Sequence, residues 1–149
     1  MNPTVVLPIA LVFAGGVLIA LQAPTNAMLA RTGGSPVLAA LISFAVGTLA
    51  LFAVWLASGN RPGAEPFARL PYYAWFGGIY GAFFVAVAAF AAPRIGLASL
   101  ITIGIAGQIV SALVLDHFGV LGLPRDPVSV TKLLGVALVL AGVVLVRRG

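Results

Sequence analysis

Two amides in the first apolar segment are the polar side chains best placed to bind a solute. Gln22 and Asn26 are four residues apart, so a helix presents both on one side, with Thr25 beside them. Pro24 lies between them; it has no N–H to donate, so the carbonyl of Ala20 lacks its helical partner and the helix is predicted to bend. A bent helix with a free carbonyl and two amides can coordinate a polar group or a cation. These residues are predicted substrate contacts.

A second polar pair lies in the fourth apolar segment. Gln108 is close to the middle of the charge-free stretch 95–115, and Ser111 follows three positions later. Because an unpaired amide is costly to bury, Gln108 needs a partner. Two interpretations stay open: these amides line a solute pathway, or they hydrogen-bond neighbouring helices and hold them together. We add Gln108 and Ser111 to the predicted substrate contacts.

The titratable residues are too few for catalysis or metal binding. Asp116 and His117 stand together at the end of the fourth segment, as either a proton-linked gate or a plain polar helix end. The other acids are Glu65 and Asp126, and the chain has no cysteine, which excludes disulfides and thiolate metal sites. No arrangement of residues suits hydrolytic or nucleophilic chemistry. We predict no enzyme activity, no metal and no cofactor.

The composition indicates that these residues lie in a lipid bilayer. Of 149 residues, 62% are apolar and 7% charged, and the mean hydropathy is +1.18. A soluble domain has about 45–50% apolar and about 25% charged residues. The Lys and Arg residues are scattered, without the basic clusters typical of nucleic-acid binding. We predict an all-α integral membrane protein with a single transmembrane domain (1–149), surrounded by lipid and with no nucleic-acid partner.

Stretches without charge divide the chain into five predicted transmembrane helices. A span needs about 20 largely apolar residues, and four stretches are long enough. The fifth, between Lys132 and Arg147, is shorter, but Lys132 can extend its ammonium group towards the interface and lengthen the span. The predicted helices lie near residues 5–29, 36–58, 71–92, 96–116 and 128–146.

Positive charges are shared equally between the two sides of a five-span chain. The side of the N-terminus has Arg61, Arg69, Arg125 and Lys132, and the opposite side has Arg31, Arg94, Arg147 and Arg148. Because the side richer in Lys and Arg is normally cytoplasmic, this tie favours neither orientation. Either the tie is accidental, or the chain inserts both ways and opposite copies pair. An odd number of spans suits the second interpretation, since many transporters consist of two inverted halves.

The first span contains the run Leu21–Gln22–Ala23–Pro24–Thr25–Asn26–Ala27. Further motifs follow in order: Ser43–Phe44 with Gly47–Thr48, Gly77–Gly78 with Gly81–Ala82, Ala92–Pro93–Arg94 with Gly96, Gly107–Gln108, and Asp116–His117–Phe118–Gly119. Together they resemble the YdcZ-type family of small inner-membrane proteins, within the drug/metabolite transporter superfamily. The resemblance implies a multi-pass transporter of the bacterial inner (plasma) membrane, with ten helices formed by two chains.

Gly135 and Gly142 in the fifth span are seven residues apart and share one face. This segment resembles the dimerisation helix of small multidrug resistance transporters, which implies that the same face packs two subunits together. Those transporters use a Glu in their first helix, and the absence of any mid-span carboxylate here argues against exchange of cationic drugs for protons. We predict an antiparallel homodimeric carrier of a small solute that works by alternating access. A dual-topology channel and a non-transporting assembly partner are the alternatives.

Overall fold

A computed structural model describes residues 3–59, 61–63 and 65–148. The helices are α1 (Pro3–Gly33), α2 (Pro36–Ser58), α3 (Glu65–Ala68), a 3₁₀ turn (Tyr72–Phe76), α4 (Gly77–Ile95), α5 (Leu97–Phe118) and α6 (Val130–Arg148). Within these described residues, five helical segments are long and apolar enough to cross a membrane: α1, α2, the segment from the 3₁₀ turn to the end of α4, α5 and α6. The predictions of an all-α chain and of five such helices are confirmed.

Several helices end a few residues away from their predicted bounds. Helix α1 continues past residue 29 to Gly33, because the first backbone that leaves the helical region is Gly34, with φ of 70°. Helix α4 continues through Pro93 and ends at Ile95. A proline in the last turn removes only one N–H, so the helix is not broken before it ends. The short helix α3 was not predicted. Helix α6 starts at Val130 rather than at residue 128.

Contacts group the chain into two compact units, 1–94 and 95–149. In the first unit, α1 and α2 form a tight helical hairpin. Ser35 caps α2, accepting a hydrogen bond on Oγ from the N–H of Leu38 (3.2 Å), and Pro36 occupies the first turn, where its missing N–H costs nothing. The chain therefore reverses direction within two residues after Gly33.

Small residues form the buried part of the first unit. The buried side chains are Ala23, Asn26 and Ala27 on α1, Ala39 and Ala40 on α2, and Val85, Ala88 and Ala89 on α4. In lipid, helices associate through close packing of such small residues, because burying apolar surface gains little there. The large apolar side chains are mostly exposed, as expected for a surface that faces lipid tails or another chain.

Helix α4 packs beside α2 in the same unit. A Cβ atom at Gly81 would lie 3.2 Å from Cζ of Phe44, so the missing side chain at Gly81 makes room for this ring. Gly77 and Gly78 have open space where a Cβ would be. Of the three glycines, Gly81 alone is required by packing within the described part of the chain.

In the second unit, α5 packs against α6 and the segment 119–129 connects them. The C-cap of α5 is Gly119, with φ of 62°, and its N–H donates to the carbonyls of Leu115 and Asp116. A Cβ there would lie 3.0 Å from Cβ of Arg125 and 3.2 Å from its backbone atoms. The connecting segment thus folds back onto the end of α5.

Candidate solute-binding site

Asn26 is the one polar residue that the described part of the chain buries almost completely, with an exposed fraction of 3%. It lies on the face of α1 that also buries Ala23 and Ala27. No hydrogen bond to its amide occurs among the described residues. Since no fully buried side-chain N or O atom there lacks a partner, the amide atoms of Asn26 keep some accessible surface. The site therefore contains an amide that is packed by small neighbours and still has its hydrogen-bonding capacity.

Gln22 lies one turn before Asn26 on the same face and is half-buried. Its amide also has no hydrogen-bond partner among the described residues. Thr25 is exposed, and its hydroxyl donates to the carbonyls of Leu21 (3.1 Å) and Gln22 (2.9 Å) of its own helix. The two amides therefore keep their hydrogen-bonding capacity, while the Thr25 hydroxyl is already occupied.

Pro24 stands inside α1 without ending it. Helical structure continues for nine residues beyond it, to Gly33. The carbonyl of Ala20 has no amide donor four residues later, as the sequence predicts. A bend at Pro24 stays a prediction.

Gln108 and Ser111 belong to the second unit and are exposed on α5. Gln108 is at the middle of this helix, and neither side chain has a hydrogen-bond partner among the described residues. An exposed amide at the centre of a membrane helix must find a partner in the assembled protein, because lipid tails offer none. Whether Gln108 joins the α1 amides in one site stays a prediction.

Asp116 and His117 are half-buried at the end of α5, where they hold the connecting segment. The Nδ1 atom of His117 accepts a hydrogen bond from the N–H of Val128 (3.2 Å), which puts the proton of the neutral ring on Nε2. The carbonyl of Asp116 accepts from the N–H of Asp126 at 2.8 Å. This pair thus holds the segment between α5 and α6 in place, and a gating role stays a prediction.

An apolar groove of about 340 Å³ borders His117 between α5 and α6. Its lining includes Val110 and Val114 on α5 and Leu133 and Val136 on α6. Lys132, which was expected to extend towards the interface, bonds Oδ2 of Asp126 at 2.6 Å. The ammonium of Lys132 therefore points back beyond the start of α6, as a span with a polar end requires.

Gly135 and Gly142 have open space within 4 Å of where a Cβ would stand. None of the residues of α6 that the structure describes is buried. These glycines are therefore not needed for packing within the described chain, in contrast to Gly81.

Sequence reasoning missed two arginines that stack on aromatic rings at helix ends. Arg61 lies 4.6 Å from the ring centroid of Trp55, and Arg94 lies 3.7 Å from that of Phe90. Each also donates to the carbonyl of the residue on whose ring it stacks. A signal was present, since each arginine follows an aromatic residue by four or six positions near the end of an apolar segment.

The comparisons with known proteins decide the family. Residues 7–145 match the family described as "Putative inner membrane exporter, YdcZ". The chain belongs to this YdcZ family. No curated protein and no solved structure matches the chain. As a member of the YdcZ family with five apolar helices, it is a multi-pass inner-membrane protein, and its helices contact the lipid bilayer. The family description refers to transport rather than to catalysis.

Proposed function

We propose that this protein is a secondary transporter that exports a small solute by alternating access, as an antiparallel homodimer. Gln22, Asn26 and Gln108 of both chains bind the solute within the membrane, and Pro24 lets α1 bend during the transition. The α6 helices hold the dimer together through the face of Gly135 and Gly142. Membership of an exporter family and the five apolar helices support the transport part of this proposal.

The amide of Asn26, which belongs to a buried residue and has no hydrogen-bond partner among the described residues, carries the assignment of the site. A polar group buried without a hydrogen bond costs about 1–3 kcal/mol in proteins. Because the amide atoms of Asn26 keep some accessible surface, a solute that reaches and bonds them recovers part of that free energy. Gln22, one turn away on the same face, gives the solute a second amide.

The solute is identified by comparing cells that produce the wild-type chain with cells that produce Asn26→Leu. Leu is close to Asn in shape and removes only the amide. Mass spectrometry of the medium detects solutes that the wild type releases, and proteoliposomes loaded with such a solute then give the rate. We expect Asn26→Leu to lower release by about tenfold or more, as the loss of one or two hydrogen bonds predicts.

The matched control is Thr32→Val, on the same helix. The Thr32 hydroxyl is exposed and donates to the carbonyl of Met28 (3.2 Å), so its removal leaves the α1 amides unchanged. Thr32→Val should therefore release solute at the wild-type rate. Wild-type release by Asn26→Leu would contradict the site. A flux that does not saturate and exceeds about 10³ per second, the upper range of typical turnover, would favour a channel instead.

A further inference from the structure

An apolar groove of about 350 Å³ lies in the first unit, between the start of α2 and the end of α4. It is open on one side. Its walls are Pro36 and Val37 on α2 and Phe83, Ala86, Val87 and Phe90 on α4. Phe83 and Phe90 are two turns apart, so the groove follows α4 for about 10 Å at 1.5 Å per residue. An apolar groove of this length can hold part of a lipid acyl chain.

Arg94 stands at one end of this groove. Its guanidinium lies 3.7 Å from the ring centroid of Phe90, which forms the last part of the groove wall, and donates to the Phe90 carbonyl. The residue is exposed, so the remaining N–H groups of the guanidinium face outward. A cation is therefore fixed at the end of the apolar groove, in the last turn of α4.

Positive charge at this end of the unit has no carboxylate to balance it. Arg31 is in the last turn of α1 and Arg94 is in the last turn of α4. When the three spans of the unit alternate in direction, both arginines lie on the same side as the start of α2. Glu65 is the only acid of this unit, and it bonds Arg69 at 3.1 Å in the connection on the other side.

We propose that this groove binds an anionic phospholipid, with one acyl chain along Phe83 and Phe90 and the phosphate on Arg94. Guanidinium groups bind phosphate through paired hydrogen bonds, and basic sites between membrane helices select acidic headgroups. Arg31 adds to the positive potential at the same end. The apolar groove complements the acyl chain of the lipid, and the cation without a neighbouring carboxylate complements its phosphate. This site is separate from the Asn26 amide and does not depend on which solute is carried.

The test uses native mass spectrometry of the purified chain in a neutral detergent. The probes are phosphatidylglycerol and phosphatidylcholine with the same acyl chains. We expect tighter binding of phosphatidylglycerol, and a loss of about fivefold in its affinity in Arg94→Gln, as expected for one cation near anionic lipid. Arg94→Lys keeps the charge and should keep most of the preference. Ala86→Leu fills the groove and should weaken binding of both lipids.

The matched control is Arg61→Gln. Arg61 also stacks on an aromatic ring and donates to the carbonyls of Trp55 (3.3 Å) and Leu56 (3.2 Å), but at the opposite end of α2. Its loss should leave phosphatidylglycerol binding unchanged. Equal affinity for the two lipids, or equal losses in Arg94→Gln and Arg61→Gln, would overturn the proposal. Circular dichroism checks the fold of each variant; if Arg94→Gln does not fold, Arg94→Lys and Ala86→Leu decide.

Discussion

The imidazole of His117 and the main chain of Val128 are joined by a hydrogen bond of 3.2 Å, from the Val128 N–H to Nδ1. The bond connects the last turn of α5 to the residues just before α6. Arg125 adds a second link, donating from Nε to the His117 carbonyl at 3.2 Å. Because both bonds hold the second half of the segment 119–129 against His117, the segment is a folded cap on the two helices and not a free linker.

Replacing His117 should weaken the attachment of this segment to α5, because the Nδ1 atom of His117 accepts the hydrogen bond from Val128. In His117→Leu the Val128 N–H loses its partner, a loss of about 1 kcal/mol. Hydrogen exchange at the Val128 amide should become about fivefold faster, measured by mass spectrometry or NMR in detergent. His117→Asn places an acceptor oxygen close to the position of Nδ1 and should restore protection. Equal exchange in the Leu and Asn variants would contradict the role of this bond.

Gly119→Ala should destabilise the second unit more than Gly122→Ala. Both glycines have positive φ, 62° and 80°, so either alanine is strained by about 1–2 kcal/mol. A Cβ at Gly119 also meets the backbone of Arg125 at 3.2 Å, whereas nothing lies within 4 Å at Gly122. The added contact cannot be relieved by rotating a side chain. Thermal unfolding of the two variants in the same detergent should show a clearly lower midpoint for Gly119→Ala, and equal midpoints would contradict the close approach.

The helices could be predicted from the sequence because lipid imposes a simple rule. A segment that crosses the bilayer must be long, apolar and internally hydrogen-bonded, and charges mark where it stops. The ends of the helices are harder to predict, because each depends on the backbone conformation of a single residue. Gly34 and Gly96 end α1 and α4 through positive φ, and the pattern of apolar residues contains no information about φ.

The site could be predicted only in part. The alignment of Gln22 and Asn26 on one face follows from helical spacing, but the burial of Asn26 beside Ala23 and Ala27 does not follow from that spacing. That Thr25 bonds its own helix could not be deduced, because the same hydroxyl can point to a carbonyl or to a solute. The bond from Val128 to His117 joins residues eleven positions apart through a non-helical segment, and no periodic pattern predicts it.

The proposed dimer predicts which cysteines cross-link across α6. In an antiparallel pair, Gly135 of one chain faces Gly142 of the other. The two positions are about 10 Å apart along the helix, whereas a disulfide needs Cα atoms within about 7 Å. Gly135→Cys and Gly142→Cys should therefore form few dimers alone and many when the two variants are produced together. The readout is non-reducing electrophoresis of native membranes, and the chain has no cysteine of its own to interfere.

Ala137→Cys together with Leu140→Cys is the matched control for this experiment. These residues have the same antiparallel register but lie on the opposite side of α6, about 140° to 200° from Gly135 at 100° per residue. Their mixture should give no cross-linked dimer. Dimers formed by Gly135→Cys alone as readily as in the mixture with Gly142→Cys would indicate parallel chains and contradict the antiparallel arrangement.

Two-way insertion predicts partial labelling at two positions that lie on opposite sides of the membrane. A single cysteine at Gly63, in the connection after α2, and one appended after Gly149 lie on opposite sides when five helices span. An impermeant maleimide applied to spheroplasts should label about half of the molecules at each position, since positive charges favour neither orientation. Arg148→Gln leaves the N-terminal side richer in positive charge and should lower labelling at position 63. Arg69→Gln removes a charge from that side and should raise it. If one of the two cysteines stays unlabelled in the parent chain and in both charge variants, then every copy has the same orientation and the antiparallel dimer cannot form in the membrane.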